Sequence, residues 1–218
     1  MNSIVIFDMD GLMFDTEPLY YRANQKTADA LNIPFDYSFY KKYIGVSESD
    51  FFEAMYRQFP EKKVNQFIVD SKKDLEDLLF SELPQLKIGL IELLTYLKEK
   101  GYKTVVASSS ERKIVDKLLR LTDLHIYFDD FIGGDEVAKS KPHPEIFQKA
   151  VQLVGNEASE ILVLEDSLNG IRAACSAGYK VIMVPDLIHP NEEAKAKTLD
   201  ICESLEEVLM KIKSEKII

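Results

Sequence analysis

Two short apolar runs, Ile4-Val5-Ile6-Phe7 and Ile161-Leu162-Val163-Leu164, each end abruptly on a pair of acids. Runs of this length and composition suit strands buried on both faces. The acids are Asp8 and Asp10, separated by Met9 and followed by Gly11, and the adjacent Glu165-Asp166. An isolated ionised carboxylate in apolar surroundings is costly, so a pair at the mouth of a buried strand needs a cation or a solvated cleft. Alternation along an extended chain would point Asp8 and Asp10 the same way. A strand running into an ordinary Asp-Gly turn is the competing reading, and the rest of the chain has to decide between them.

After Gly11, Thr16 is placed to cap a helix with Glu17 and Pro18 in its first turn, where an acid and a proline are both accommodated. Leu19, Ala23, Thr27, Ala30 and Leu31 recur at helical spacing. Ser47 could cap a helix carrying Phe51, Phe52, Met55, Tyr56 and Phe59, which Pro60 closes. Val64, Phe67, Ile68, Leu75, Leu78 and Leu79 stripe a longer helix. No strand pattern interrupts this stretch up to about Phe80, so it reads as an all-helical block.

The pattern changes near Leu86. Leu90, Leu93, Leu94 and Leu97 stripe one helix, with Gly101 as its stop. Lys103–Ala107 reads as a strand ending on Ser108-Ser109-Ser110, followed by a helix through Ile114, Val115, Leu118 and Leu119. Phe131-Ile132 is a further short strand. Lys139-Ser140-Lys141-Pro142-His143-Pro144 precedes a helix with Ile146, Phe147, Ala150, Val151 and Val154. After Ile161–Leu164, a short helix turns Ile171, Ala174 and Cys175 inward and stops at Gly178. Val181–Val184 is another strand, closed by Pro185, and Ser204 with Glu207 forms a capping box for a last helix.

Strands alternating with amphipathic helices imply an α/β fold, a Rossmann-like parallel sheet with helices on both faces. The core is expected over residues 1–15 and 82–218, with an inserted α-helical cap over 16–81. In such sheets ligands bind beyond the carboxyl ends of the strands. The polar groups that terminate strands, Asp8, Asp10, Ser108 and Glu165-Asp166, with Lys141 in its loop, are therefore candidates for one shared site. The helical block would lie above it as a lid.

Converging carboxylates repel one another, and a hard divalent cation such as Mg²⁺ answers that repulsion with oxygen ligands. A lysine and a hydroxyl opposite would neutralise and orient a phosphoryl group, so the set suits phosphoryl transfer. An aspartate can serve as covalent nucleophile, and a second carboxyl two residues on can move the proton. The net charge of −10 and the absence of a basic stripe argue against nucleic acid. No apolar stretch approaches the length of a membrane span. Cys175 and Cys202 are too few for a disulfide framework and read as reduced, buried thiols of a cytoplasmic protein. A monomer acting on a small phosphorylated metabolite is the expectation.

Asp8-Met9-Asp10-Gly11 followed by Asp15-Thr16-Glu17, then Ser108, then Lys141-Pro142-His143-Pro144, then Glu165-Asp166-Ser167 with Gly170 are ordered along nearly the whole chain. In this order they resemble the haloacid dehalogenase-like hydrolase superfamily, in the phosphatase branch that includes β-phosphoglucomutase. The resemblance implies Asp8 as nucleophile, Asp10 as general acid and base, Ser108 on the phosphoryl oxygens and Lys141 paired with Asp8 and the phosphate. It implies Mg²⁺ held by Asp8, the Asp10 carbonyl and Asp166, with Glu165 binding directly or through water. The dehalogenases of the superfamily lack a second aspartate at the Asp10 position and use no Mg²⁺.

In the helical block, Tyr20 falls where β-phosphoglucomutase has a histidine, and Gly45-Val46-Ser47 matches its substrate loop. Glu48 stands where the mutase has an arginine for a second phosphate, which an acid would repel. Tyr20, Gly45, Ser47 and Ser109 are the candidate substrate contacts. Each assignment has a plainer counterpart. Lys141 could be a loop lysine, Ser109 or Ser110 could replace Ser108, Glu165-Asp166 could cap a helix, and Tyr20 could be packing. The expected function is hydrolysis of a small phosphomonoester, by the resemblance a sugar phosphate, with a phosphosugar mutase and a non-catalytic phospho-ligand binder as alternatives.

Overall fold

The computed structural model describes residues 3–44, 48–155, 158 and 160–214 of the 218-residue chain, so Gly45 and Ser47 lie outside the described residues. The chain divides into two compact units, Met1–Asp15 with Gln85–Ile218, and Thr16–Pro84.

Strand β1 (Ser3–Phe7) is buried at every position, as its unbroken apolar run requires. A tight turn follows, in which the Gly11 N–H donates to Phe14 O at 2.9 Å, and β2 (Phe14–Asp15) leads out of the first unit.

Among the described residues the second unit holds the α-helices α1 (Glu17–Ala30), α2 (Tyr37–Tyr40), α3 (Glu48–Gln58) and α4 (Glu61–Ser81). Proline occupies the first turn of α1 as expected, but the Thr16 side chain makes no capping bond. The buried face of α1 is Leu19, Ala23, Thr27 and Ala28, whereas Ala30 is exposed. The last turn therefore buries Ala28, two positions before the alanine that the stripe predicts. Pro60 ends one helix and starts the next, standing just before α4 with an extended ψ of 132°. Along α4 the buried residues are Val64, Phe67, Ser71 and Leu79, with Leu75 and Leu78 only half-buried. Phe35, Tyr40, Phe51, Met55, Val64 and Phe67 form this unit's own core. Its rings meet mostly edge-on or tilted, as for Phe35–Phe51 at 6.4 Å and Phe51–Phe67 at the same separation.

The chain returns through β3 (Gln85–Leu86), antiparallel to β2, with Phe14 opposite Leu86. Then follow α5 (Leu90–Glu99), β4 (Lys103–Ala107), α6 (Arg112–Leu121), β5 (Asp130–Ile132), α7 (Glu145–Val154) and β6 (Glu160–Glu165). The chain finishes with α8 (Leu168–Ala177), β7 (Lys180–Met183), α9 (Glu192–Lys197), β8 (Asp200–Ile201) and α10 (Leu205–Lys213). The six-stranded sheet runs β5-β4-β1-β6-β7-β8, and every pairing in it is parallel. Alternate strand residues Ile4, Ile6, Val105, Ala107, Val163, Val181 and Met183 point to one face and pack with Ile146, Phe147, Ile171 and Ala174 of α7 and α8. On α8 it is Ala173 rather than Cys175 that is buried beside Ile171 and Ala174, and Cys175 is half-exposed. Both cysteines are free thiols. No helix among the described residues is long and apolar enough to cross a membrane.

With β4 on one side of β1 and β6 on the other, the carboxyl end of β1 is where the winding of the sheet reverses. Ligands of open α/β sheets bind at such a point.

Candidate active site

Strand β1 ends at Phe7, and the Asp8 N–H donates to Leu164 O at 3.1 Å, which ties Asp8 to the end of β6. Beyond that point the two aspartates find different partners. Asp8 is buried against Lys141, whose Nζ donates to Asp8 Oδ1 at 2.5 Å. The same ammonium donates to Glu165 Oε1 at 2.7 Å and to the Ala107 carbonyl at 3.2 Å. Its three N–H donors are thereby used, and it also sits 4.9 Å from the centre of the Phe147 ring. Asp10 accepts from Ser110 Oγ at 2.9 Å and, more weakly, from Ser108 Oγ at 3.4 Å.

The serines are held in place by backbone. The Ser108 N–H donates to Ile132 O at 3.1 Å, and the Ser110 carbonyl accepts from the Gly134 N–H at 2.8 Å. A Cβ on Gly134 would stand 2.2 Å from the Ser109 carbonyl oxygen, so this approach requires glycine. Ser108 is fully buried and Ser109 exposed. Ser110, which the sequence offers only as an alternative to Ser108, makes the shorter bond to Asp10.

Glu165 ends β6 and is fully buried. Its Oε2 accepts from the Ser167 N–H at 2.8 Å and the Ser167 hydroxyl at 2.9 Å. The helix cap of α8 is Ser167, whose Oγ accepts from the Gly170 N–H. A Cβ on Gly170 would lie 1.7 Å from Glu165 Oε1, so the glycine leaves room for a pinned carboxylate. His143 serves its own turn, its Nδ1 accepting from the Glu145 N–H at 3.3 Å.

Ligand oxygens of Asp8, Glu165 and Asp166 lie within 4.8 Å of one another. One ammonium faces these three acids, and the charge balance shows in their protonation. Burial, against the pull of Lys141 and with the push of Glu165, raises the Asp8 carboxyl from 3.8 to about 7. Asp166 is held well above the ordinary carboxylate range by burial, then by Glu165 and Asp8. Burial alone would lower the Lys141 ammonium, but Asp8 and then Glu165 outweigh it and hold it above the lysine range. The cluster is thus short of positive charge.

The residues fit a hard divalent cation. All three donors are carboxylates, and Gly11, at φ +82°, leaves bare backbone where a Cβ would come within 2.5 Å of Asp166 Oδ2.

Tyr20 lies on α1 in the helical unit, packed against that unit's aromatic core. It lines a cavity of about 220 Å³ together with Glu17, Tyr40, Tyr43, Phe51 and Lys72. Glu48 pairs with Lys72 at 3.3 Å on the exposed surface of α3 and α4.

A family model described as haloacid dehalogenase-like hydrolase matches residues 5–184. A phosphorylated carbohydrates phosphatase of Thermotoga maritima is 32% identical over 192 residues, covering 88% of each chain. Hexitol phosphatase B of Escherichia coli K12 is 29% identical over 182 residues, covering 83% of this chain and 82% of that one. The crystal structure of CbbY from Rhodobacter sphaeroides in complex with phosphate superposes with a TM-score of 0.82 at 26% identity, covering 95% of this chain and 96% of that one.

Proposed function

The chain belongs to the haloacid dehalogenase-like hydrolases, and from that membership we propose that it is a Mg²⁺-dependent phosphatase of small phosphomonoesters, working through a phosphorylated Asp8. Sugar phosphates are the substrate class, a reading supported by the phosphorylated carbohydrates phosphatase among its relatives. The observation that carries the proposal is the buried Lys141–Asp8 pair at 2.5 Å beside Glu165 and Asp166, with a second acid, Asp10, held by serines nearby.

Asp8 attacks phosphorus through a carboxylate oxygen, and the bond from phosphorus to the substrate's ester oxygen breaks. Asp10, in its protonated form, gives its proton to that leaving oxygen. Asp10 then takes a proton from water, whose oxygen attacks the phosphoryl group on Asp8 and releases phosphate with Asp8 restored. Lys141 holds Asp8 in position and faces the charge that gathers on the phosphoryl oxygens. Ser108 and Ser110 orient the Asp10 carboxyl, and Ser108 with Ser109 contacts the phosphoryl group. Asp8, Asp166, the Asp10 carbonyl and Glu165 would hold Mg²⁺, which supplies positive charge opposite the phosphoryl oxygens. Residues 16–81 act as a cap, with Tyr20, Gly45 and Ser47 contributing to substrate choice.

Phosphate release from a panel of phosphomonoesters with Mg²⁺ tests the proposal, with Asp8→Asn as control. The variant is expected to lose roughly 10³-fold or more in rate. Equal release by both proteins overturns Asp8 as nucleophile. Accumulation of an isomeric sugar phosphate instead of free phosphate would establish a mutase.

A further inference from the structure

Asp186 stands just past β7 and Pro185, at the carboxyl end of the sheet. Its Oδ1 accepts from Lys87 Nζ at 2.7 Å, and the two side chains are only 13% and 24% exposed. Its other oxygen is turned toward Gly11. The point a Gly11 Cβ would occupy lies 3.4 Å from Asp186 Oδ2 and 2.5 Å from Asp166 Oδ2. Two carboxylate oxygens therefore bracket one bare patch of backbone. Gly11 keeps that patch bare because its φ of +82° is a conformation that L side chains rarely adopt.

Lys87 partly offsets the charge of Asp186 from the other side. It directly follows β3, and its backbone N–H donates to the Met13 carbonyl at 2.9 Å, in the turn that also carries Asp10 and Gly11. Through this one residue the turn after β1, the end of β3 and the loop after β7 are joined.

A fourth carboxylate beside Asp8, Glu165 and Asp166 adds repulsion to a cluster already short of positive charge. Lys87 offsets one oxygen of that carboxylate and leaves the other aimed at the side of the cluster where Asp166 stands. A small, hard dication keeps several of its waters when protein carboxylates bind it, and such waters donate hydrogen bonds to acceptors beyond the direct ligands. We infer that Asp186 is a positioning residue for the cation, an outer carboxylate that accepts hydrogen bonds from ion-bound water. The inference rests on the reading of Asp8, Glu165 and Asp166 as the inner ligands.

Titration calorimetry with Mg²⁺ alone, on the substrate-free protein, tests it with Asp186→Asn, Lys87→Met and Asp166→Asn beside the wild type. Asp166→Asn is expected to abolish binding. Asp186→Asn is expected to weaken it about tenfold, the lower end of what outer partners contribute. Lys87→Met keeps the acid and removes its counter-charge, so its affinity stays at or above wild type. A structural clasp would behave differently, since both variants would lower the melting temperature alike and leave Mg²⁺ affinity untouched. Wild-type affinity in Asp186→Asn, or equal weakening by Lys87→Met, overturns the inference alone. A wild type that takes up no Mg²⁺ overturns the inner-ligand reading and this inference with it.

Discussion

The two units bury opposite kinds of material. At the carboxyl end of the parallel sheet, the ionisable side chains of Asp8, Glu165 and Lys141 are buried, each held by named hydrogen bonds. The helical unit buries rings instead, with Phe35, Phe51 and Phe67 packed at 6.0 to 6.4 Å. Ions in a low-dielectric setting demand partners in fixed directions, so a change to one is felt by all of them. Rings pack by area and shape and accept other apolar residues of similar volume. The ionic end of the sheet is specified residue by residue, while the helical unit is specified by its pattern.

Removing the shared cation should test this contrast most severely. Lys141→Met leaves Asp8 and Glu165 facing each other without their ammonium. The expected cost is about 3–5 kcal/mol, as for other broken buried pairs, read by urea unfolding. Hydrogen exchange in α1 and α4 should stay at wild-type rates. Faster exchange there would mean that the two units do not separate energetically.

The converse change is Phe67→Ala, which empties a fully buried position of the ring cluster. A loss of about 3–5 kcal/mol is expected, seen as faster exchange in α1 and α4, with Mg²⁺ affinity by calorimetry unchanged. A matching drop in affinity would break the comparison from the other side.

A smaller effect follows from protonation. Asp8 titrates near pH 7 in the folded protein and near 3.8 when unfolded. The folded state then retains a proton that the unfolded chain has released, so this contribution is fully present below pH 3.8 and is lost as pH rises through about 7. The metal-free protein should weaken across that window. On the proposed reading Mg²⁺ would compete with the retained proton, so its stabilising effect should grow with pH, with a melting-temperature gain several degrees larger at about pH 8 than at about pH 5. A gain independent of pH would show that Asp8 is already ionised without the metal.

How far each unit was legible in the sequence follows from the same contrast. Acids that end apolar runs are conspicuous, and Asp8, Glu165 and Asp166 do come together from positions far apart in the chain. The same rule applied to Val181–Val184 leads to Asp186 only past Pro185, and a proline closing a strand hides the acid behind it. Lys87 carries no signal of its own, since its partner lies 99 positions away. Ser110 could not be separated from Ser108 by composition, because the bend that turns it to Asp10 is imposed by Gly134 from another loop. Strands β2, β3 and β8 have two residues each, too few to show any period. In the helical unit the stripes located the helices but not the exact face, as Ala28 in place of Ala30 illustrates.

The chain leaves the first unit at β2 and re-enters at β3, and those two strands are paired with Phe14 opposite Leu86. Everything between them is an excursion whose ends are already clamped together. Lengthening a closed loop is thermodynamically mild, about 0.6 kcal/mol for each doubling. Exchanging the whole excursion for one of different size or sequence therefore leaves the ladder at its base intact. A helical unit of another size can be spliced between Asp15 and Gln85 while the parallel sheet keeps its own fold.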